Sequence, residues 1–453
     1  MDGTSTSRCW MGQQPDSLGS SPTTGGCPWR VLRDKLPGHR LVTNPRGLLG
    51  EAMAAAGDSV DAIATKLERV LDAYGIGTHE VAVFPTAMMV QTGEGPLAQL
   101  ALGTTVPSQL RFDQISELYP LINRIIDGGV PPVEALGQLR TILTNPVRFH
   151  WYARVLGQAL ITLGFAMLLQ PTPVTLAVCF GLGLLIGTLS LSPLPLVNQI
   201  FPVLMAFITG VIVLTLSNHF HLDNPIRIMV PPLVMFLPGG MLTIATVELS
   251  AGEMIAGASR LVAGLVQLLL LAFGLLAATT VVHVSSRVLH DNPTGRLGGW
   301  APFVGIVVFA VGNYLLFAAP TRYFPWILAV LFVAYGGQRL GAHIVGPEIS
   351  AFFGALAMTP VVLWFDSLTA GPPKLVTFQP GFWLLVPGAA GLIGIAQILG
   401  AGGGGGRAFV SAVVTVGSIA VGVLIGSSLY RTAVAGTRRV SEVVEDQIPW
   451  PHP

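Results

Sequence analysis

From Val155 to Leu222 the chain carries no Asp, Glu, Lys or Arg at all. A membrane-spanning helix needs roughly 20 mostly apolar residues, so this stretch alone has room for about three spans. The pattern continues beyond it: of the 47 residues of these four types, only 14 fall between Val155 and Tyr430. With 10% charged residues against 51% hydrophobic ones, the chain sits in the membrane class, since soluble domains run near a quarter charged. A net charge of +1 offers no basic field for nucleic acid, and none is expected as a partner.

The charges concentrate outside the apolar region. Residues 1–47 are rich in Ser, Thr, Gly, Pro and Arg, lack an apolar signal core, and are expected to form a disordered tail. Residues 48–147 have ordinary polarity and predict a small soluble α+β domain. Apolar residues recur at three and four over Leu48–Tyr74, which predicts one helix ended by Gly75 and Gly77. Glu80–Gln91 and Pro96–Thr105 read as strands joined by a turn at Thr92-Gly-Glu-Gly, and helices are expected over Asp113–Asp127 and Pro132–Thr144. No nucleophile, base and orienter stand out there, so the domain reads as a gate, lid or assembly module.

Ten spans are expected, near 154–170, 173–191, 196–216, 228–248, 261–284, 300–319, 323–340, 349–366, 382–400 and 408–430. The fold class is therefore mainly α, a polytopic membrane protein. An even count puts both ends on one side. Arg148 and Arg154 before the first span, with Arg431, Arg438 and Arg439 after the last, favour the cytoplasm for both ends, with 431–453 as a cytoplasmic tail in the plasma membrane protein.

A weak duplication divides the spans. At an offset of 149, Pro231 meets Pro380, Pro238 meets Pro387, Gly239 meets Gly388, Glu248 meets Gln397 and Trp151 meets Trp300. The halves, 148–298 and 299–430, then hold five spans each, and an odd number inverts the second half relative to the first, a known transporter architecture.

Each half carries a Pro-Gly pair in mid-span, Pro238-Gly239-Gly240 and Pro387-Gly388. Proline removes a donor and clashes with the preceding turn, and glycine adds freedom, so the pair can break a helix. Broken backbone survives in lipid only where protein or a water-filled cavity covers it. Its free N–H groups suit a carboxylate and its free carbonyls a cation, which fits a zwitterionic amino acid. Thr243, one turn on, could add a hydroxyl. Glu248 and Glu348 are candidate proton sites, and Arg260 a candidate partner of Glu248 or a carboxylate clamp. Asn198, Gln199, Asn313, Gln338 and Gln397 fit hydrogen bonding between helices better than transport chemistry.

Three cysteines without metal-ligand spacing and a glycine run at 402–406 without a Gly-Lys-Ser/Thr ending give no cofactor, metal or nucleotide site. Two other classes compete with a transporter. A channel or facilitator for small polar solutes shares the fold without a coupling carboxylate. A membrane-embedded enzyme would draw on the soluble domain or on His219, His221 and Asp223.

The segment PGGMLTIATVELSAGEMIAGASRLVAG resembles the signature of the threonine/serine exporter family through Pro238, Gly239, Leu242, Thr243, Glu248, Leu249, Gly252, Gly257, Arg260 and Leu261. EVAVFPTAMMV, DGGVPPVEALGQLRTI and the aromatic Trp151 follow in the family's order, and the resemblance covers about 48–430. It implies ten spans, a cytoplasmic amino-terminal domain, and export of L-threonine and L-serine driven by protons. Gln397 opposite Glu248 departs from a matched acidic pair. A homo-oligomer is left open.

Overall fold

The computed structural model describes residues 45–93, 99–104, 109–169, 172–191, 195–220, 225–282, 297–346, 349–385 and 405–447. The expected tail up to residue 44 lies outside these, as do Asp223, His221, Glu348, Pro387, Gly388 and Gln397.

The soluble domain opens with two helices, α1 (Pro45–Ala56) and α2 (Val60–Ala73), where one was expected. Gly57 lies in the left-handed region at φ +96°, which favours glycine, and Ser59 is extended. The apolar spacing runs on across this one-turn break, so Val60, Ile63, Leu67, Val70 and Leu71 still share a buried face of α2. The run Glu80–Gln91 is likewise two strands, β1 (His79–Val83) and β2 (Ala87–Thr92). They turn at Phe84-Pro85-Thr86, closed by Phe84 N–H donating to the Ala87 carbonyl at 2.7 Å. With β3 (Gln99–Thr104) they form an antiparallel sheet in the order β1-β2-β3. Met88 and Val90 point inward, with Met88 set against Gly50 of α1 and Gly103 of β3.

Helices α3 (Phe112–Ile126) and α4 (Pro132–Thr144) complete the domain. Buried Gln114 ties them: its amide nitrogen donates to the Ile142 and Leu143 carbonyls at 3.1 Å each, satisfying the open end of α4. Phe112 N–H donates to the Phe317 carbonyl at 2.9 Å, and the Phe112, Phe317 and Trp383 rings stack at 4.9 and 5.0 Å. This stack seats the domain against the apolar bundle.

The bundle comprises α5 (Trp151–Leu168), α6 (Pro173–Leu189), α7 (Pro195–Phe220), α8 (Pro225–Leu233) with a 3-10 turn at Val234–Phe236, α9 (Gly239–Ser250), α10 (Met254–Val282), α11 (Ala301–Leu316), α12 (Phe324–Val345), α13 (Ser350–Ser367), α14 (Lys374–Leu385) and α15 (Gly405–Gln447). Among the described residues six helices are long and apolar enough to cross a membrane, seven if the bent pair Ile228–Phe236 and Gly239–Ser250 counts as one span; α6 and α11 are shorter and apolar.

Two expected breaks are shorter in the structure. Gly252–Arg260 was expected as a loop, but α10 begins at Met254 and contains Arg260. Gly252, at φ +92°, makes the turn alone, and Gly257 then packs so closely on α9 that an added Cβ would stand 2.7 Å from the Ala245 carbonyl. Asp366–Pro380 is also mostly helical, because α14 starts at Lys374 and carries Pro380 inside it. The expected tail after residue 430 continues as helix to Gln447.

Small residues make the helix contacts. Helices α5 and α11 cross antiparallel, Gly157 against Gly312 and Gly164 against Gly305, with backbone facing backbone. On α10, a Cβ at Gly274 would lie 2.5 Å from the Val203 carbonyl, 3.0 Å from Ala206 Cβ and 3.2 Å from Phe207 N of α7. On α15, a Cβ at Gly422 would lie 2.6 Å from the Phe352 carbonyl, 2.9 Å from Ala355 Cβ and 3.1 Å from Leu356 N of α13.

Candidate functional site

The fourth expected span is broken. After the 3-10 turn, Leu237 is extended at φ −71°, ψ 125°, and the helix restarts at Gly239 with its axis turned by 56°. The cause is local. A residue before proline is pushed out of the helical region, and Pro238 has no N–H to continue the ladder. The break frees the Phe236 carbonyl, which accepts from Gln267 Nε2 of α10 at 2.6 Å. On the other side, Leu242 N–H returns to the Pro238 carbonyl at 2.9 Å, and Pro238 supplies no side-chain cap. The N–H groups of Gly239, Gly240 and Met241 therefore have no acceptor within their own helix, and they carry the positive end of its dipole. Among the described residues, no atom beyond its chain neighbours and its own helix backbone lies within 4 Å of a Cβ built on Gly240.

Thr243 does not offer its hydroxyl to this opening. It is fully buried and donates to the Gly239 carbonyl of its own helix at 3.0 Å.

The other end of α9 lies about 15 Å away, ten helical residues on. Glu248 is there, 1% exposed. Its Oε1 accepts from Val60 N–H, the first residue of α2, at 3.1 Å. Its Oε2 stands 3.2 Å from Arg260 Nε, an ion-pair distance without hydrogen-bond alignment. Arg260 Nη2 donates to the Asp58 main-chain carbonyl at 3.4 Å. The tight α9–α10 turn explains the pairing: Gly252 reverses the chain, Gly257 lets the helices close, and Arg260 comes back alongside Glu248.

Behind this pair lies a second charged group. The Asp58 carboxylate, 2% exposed, accepts from Lys66 Nζ at 2.9 Å and from the Tyr119 hydroxyl through the same oxygen. The Lys66 ammonium also sits 4.2 Å from the Tyr119 ring centre. Burial lowers the Lys66 pKa, opposed by Asp58 and reinforced by the nearby Lys374 charge. Burial, with the Asp58 charge, pushes Tyr119 well above its ordinary value. Asp366, at the end of α13, accepts from Lys374 N–H at 2.9 Å.

Of the residues singled out in the sequence, Pro238, Gly239, Gly240 and Thr243 gather at the break, and Glu248 and Arg260 pair at the far end of α9. Pro387, Gly388 and Glu348 lie outside the described residues. Buried Asn313 donates to the Phe309 carbonyl one turn back at 2.8 Å, within its own helix. Sequence reasoning missed Asp58, Lys66, Tyr119 and Gln267. A signal for the first existed in Gly57-Asp58-Ser59, a helix stop followed by a favoured capping residue.

No curated protein and no solved structure matches the chain. One family model does, that of the threonine/serine exporters, over residues 47–282, just over half the chain. The match runs from the start of α1 to the end of α10, and so takes in the soluble domain, the broken span and the Glu248–Arg260 pair. A multi-pass membrane protein with these features and this match belongs to the threonine/serine exporter family.

Proposed function

We propose that the chain is a secondary transporter that exports small amino acids, L-threonine and L-serine, from the cytoplasm at the expense of the proton gradient. The observation that carries this reading is the broken span: a helix start whose N–H groups at Gly239–Met241 have no acceptor within their own helix, on the same short helix as a buried carboxylate paired with arginine. The helix start suits the substrate carboxylate. Glu248 is the proton-coupling group, since an ionisable side chain inside a membrane region is costly and marks ion or substrate paths.

The reading includes ten spans in two inverted halves, with the substrate path between Pro238-Gly239 and Pro387-Gly388 and with Glu348 as a second proton site. Several features support it. The segment from α8 through its 3-10 turn, 225–236, and α14, 374–385, correspond at the offset of 149 seen in the sequence. Gly274 of α10, packed against α7, and Gly422 of α15, packed against α13, meet corresponding atoms, a carbonyl, a Cβ three residues on and the next N–H. The antiparallel crossing of α5 and α11, the first helix of each half, is what inversion requires. Both termini are cytoplasmic in this reading, in the plasma membrane.

The test is uptake of labelled threonine and serine into inside-out vesicles with an imposed proton gradient. Accumulation that vanishes with a protonophore, and that Glu248→Gln and Arg260→Ala each abolish while the protein still reaches the membrane, is expected. Equilibration that ignores the gradient would leave a facilitator instead, and full uptake by both variants would remove Glu248 and Arg260 from the mechanism.

A further inference from the structure

We propose that the turn Asp58–Ser59–Val60 of the soluble domain is a positioning element for the broken span, holding Glu248 and Arg260 through its own main chain. The soluble domain is then a working part of the transport path, not an appendage to it. The transport half of this inference rests on the exporter reading above; the positioning half does not.

The contacts run both ways across the turn. Val60 N–H, the first of α2, donates to Glu248 Oε1 at 3.1 Å, and the Asp58 carbonyl accepts from Arg260 Nη2 at 3.4 Å. The two members of the ion pair are thus each held by one main-chain group of the same three-residue turn. A helix start has N–H groups to spare and a positive end, so a carboxylate placed there is favoured twice over.

The local capping residue leaves this role open. Ser59 is the N-cap of α2, and serine there usually accepts from the first turn, yet its side chain makes no cap bond. Glu248, 188 residues later, takes the place of the cap. The turn is itself held from behind, because Lys66 and Tyr119 fix the Asp58 carboxylate. A shift of α2 would therefore move the partners of both Glu248 and Arg260 together.

The backbone supplies a clean test. Ser59 is at φ −71°, ψ 155°, the extended geometry required before proline, and Val60 is the first helical residue, where proline is well tolerated. Val60→Pro deletes the donated N–H while keeping the helix. Val60→Ala truncates the same side chain but keeps the N–H, and so serves as its reference. In full-length protein in lipid vesicles, the maximal export rate of Val60→Pro should fall about tenfold or more below that of Val60→Ala, the scale of a lost hydrogen bond to a charged group. KM for threonine should stay close between the two, since the proposed substrate contact is the helix start at Gly239–Met241, at the opposite end of α9 from Glu248. Equal maximal rates would overturn the transport half.

The second measurement needs no substrate. By hydrogen exchange in nanodiscs, the first-turn amides of α2 should exchange about tenfold or more faster in Glu248→Ala than in the unaltered protein, with β2 unchanged as a folding control. Equal protection of Val60 in both would overturn the positioning element itself. Unaltered protein that exports neither amino acid yet shows the exchange difference would overturn the exporter reading and leave the positioning element standing.

Discussion

Replacing Gln267 by leucine removes one hydrogen bond from the broken span and little else. The side chains are similar in size, and leucine suits a helix among apolar neighbours. What is lost is the donation from Nε2 to the Phe236 carbonyl at 2.6 Å. That carbonyl is free because the ladder stops at Pro238. An orphaned buried group costs about 1–3 kcal/mol, whereas interhelical bonds in membrane proteins average nearer 0.6 kcal/mol because the unfolded state also finds partners. Phe236 is partly rather than fully buried, so the lower part of the range applies, about 1 kcal/mol. A loss of that size changes the population of the bent geometry roughly fivefold. Thermal unfolding in detergent should show a midpoint lowered by a few degrees, and export should fall with it. Gln267→Asn, too short to reach, should behave like leucine. If both variants melt and transport like the unaltered protein, Gln267 does not hold the break, and the account of how the free carbonyl is satisfied is wrong.

Gly274→Val and Gly422→Val should lower stability by similar amounts, about 1–3 kcal/mol each, read as similar falls in melting midpoint, because both drive a side chain into corresponding carbonyls at 2.5 and 2.6 Å; a large cost at one and none at the other would count against the inverted halves. Ala318, at φ 53°, closes α11 in the left-handed region, so Ala318→Gly should raise stability by about 0.5 kcal/mol after the entropy of glycine is subtracted, measurable as a small rise in midpoint. The soluble domain should show two opposed alkaline effects. Lys66 has a folded pKa below its ordinary 10.5, so the unfolded state holds more protons in that window and stability rises with pH through it. Tyr119 has a folded pKa well above its ordinary 10.0, so above that pH the unfolded state has lost a proton the folded state keeps, and stability falls. Melting curves on either side of pH 10 should show the fall in the unaltered protein and its absence in Tyr119→Phe; an unchanged fall would exclude Tyr119 as the cause.

The membrane class was legible from the charge-free run Val155–Leu222, and the break at Pro238 from the chemistry of proline alone. Both are local effects, written in the residues that produce them. The pairing of Glu248 with Arg260 was also legible, as a motif, although the loop expected between them is mostly helix. There tertiary packing at Gly257 decided the matter, which spacing cannot reveal. Asp58 escaped notice because an apolar repeat that continues in phase across Gly57–Ser59 makes a buried carboxylate look like one charge on a solvated face. The Val60 contact had no signature at all. A main-chain N–H is common to nearly every residue, and only the fold selects which one meets Glu248.

The crossing of α5 and α11 bears on how such a molecule could change its access. Gly157 and Gly164 lie against Gly312 and Gly305 so closely that a Cβ on any of the four would stand 2.5–3.0 Å from a carbonyl oxygen or amide nitrogen of the other helix, so a slide would drive a neighbouring side chain into a peptide plane. Interfaces packed this closely do not creep. If the two halves rock against each other, this seam is the axle: the helices turn about it while the amplitude grows with distance from it. The bend at Pro238 belongs to neither helix of this seam.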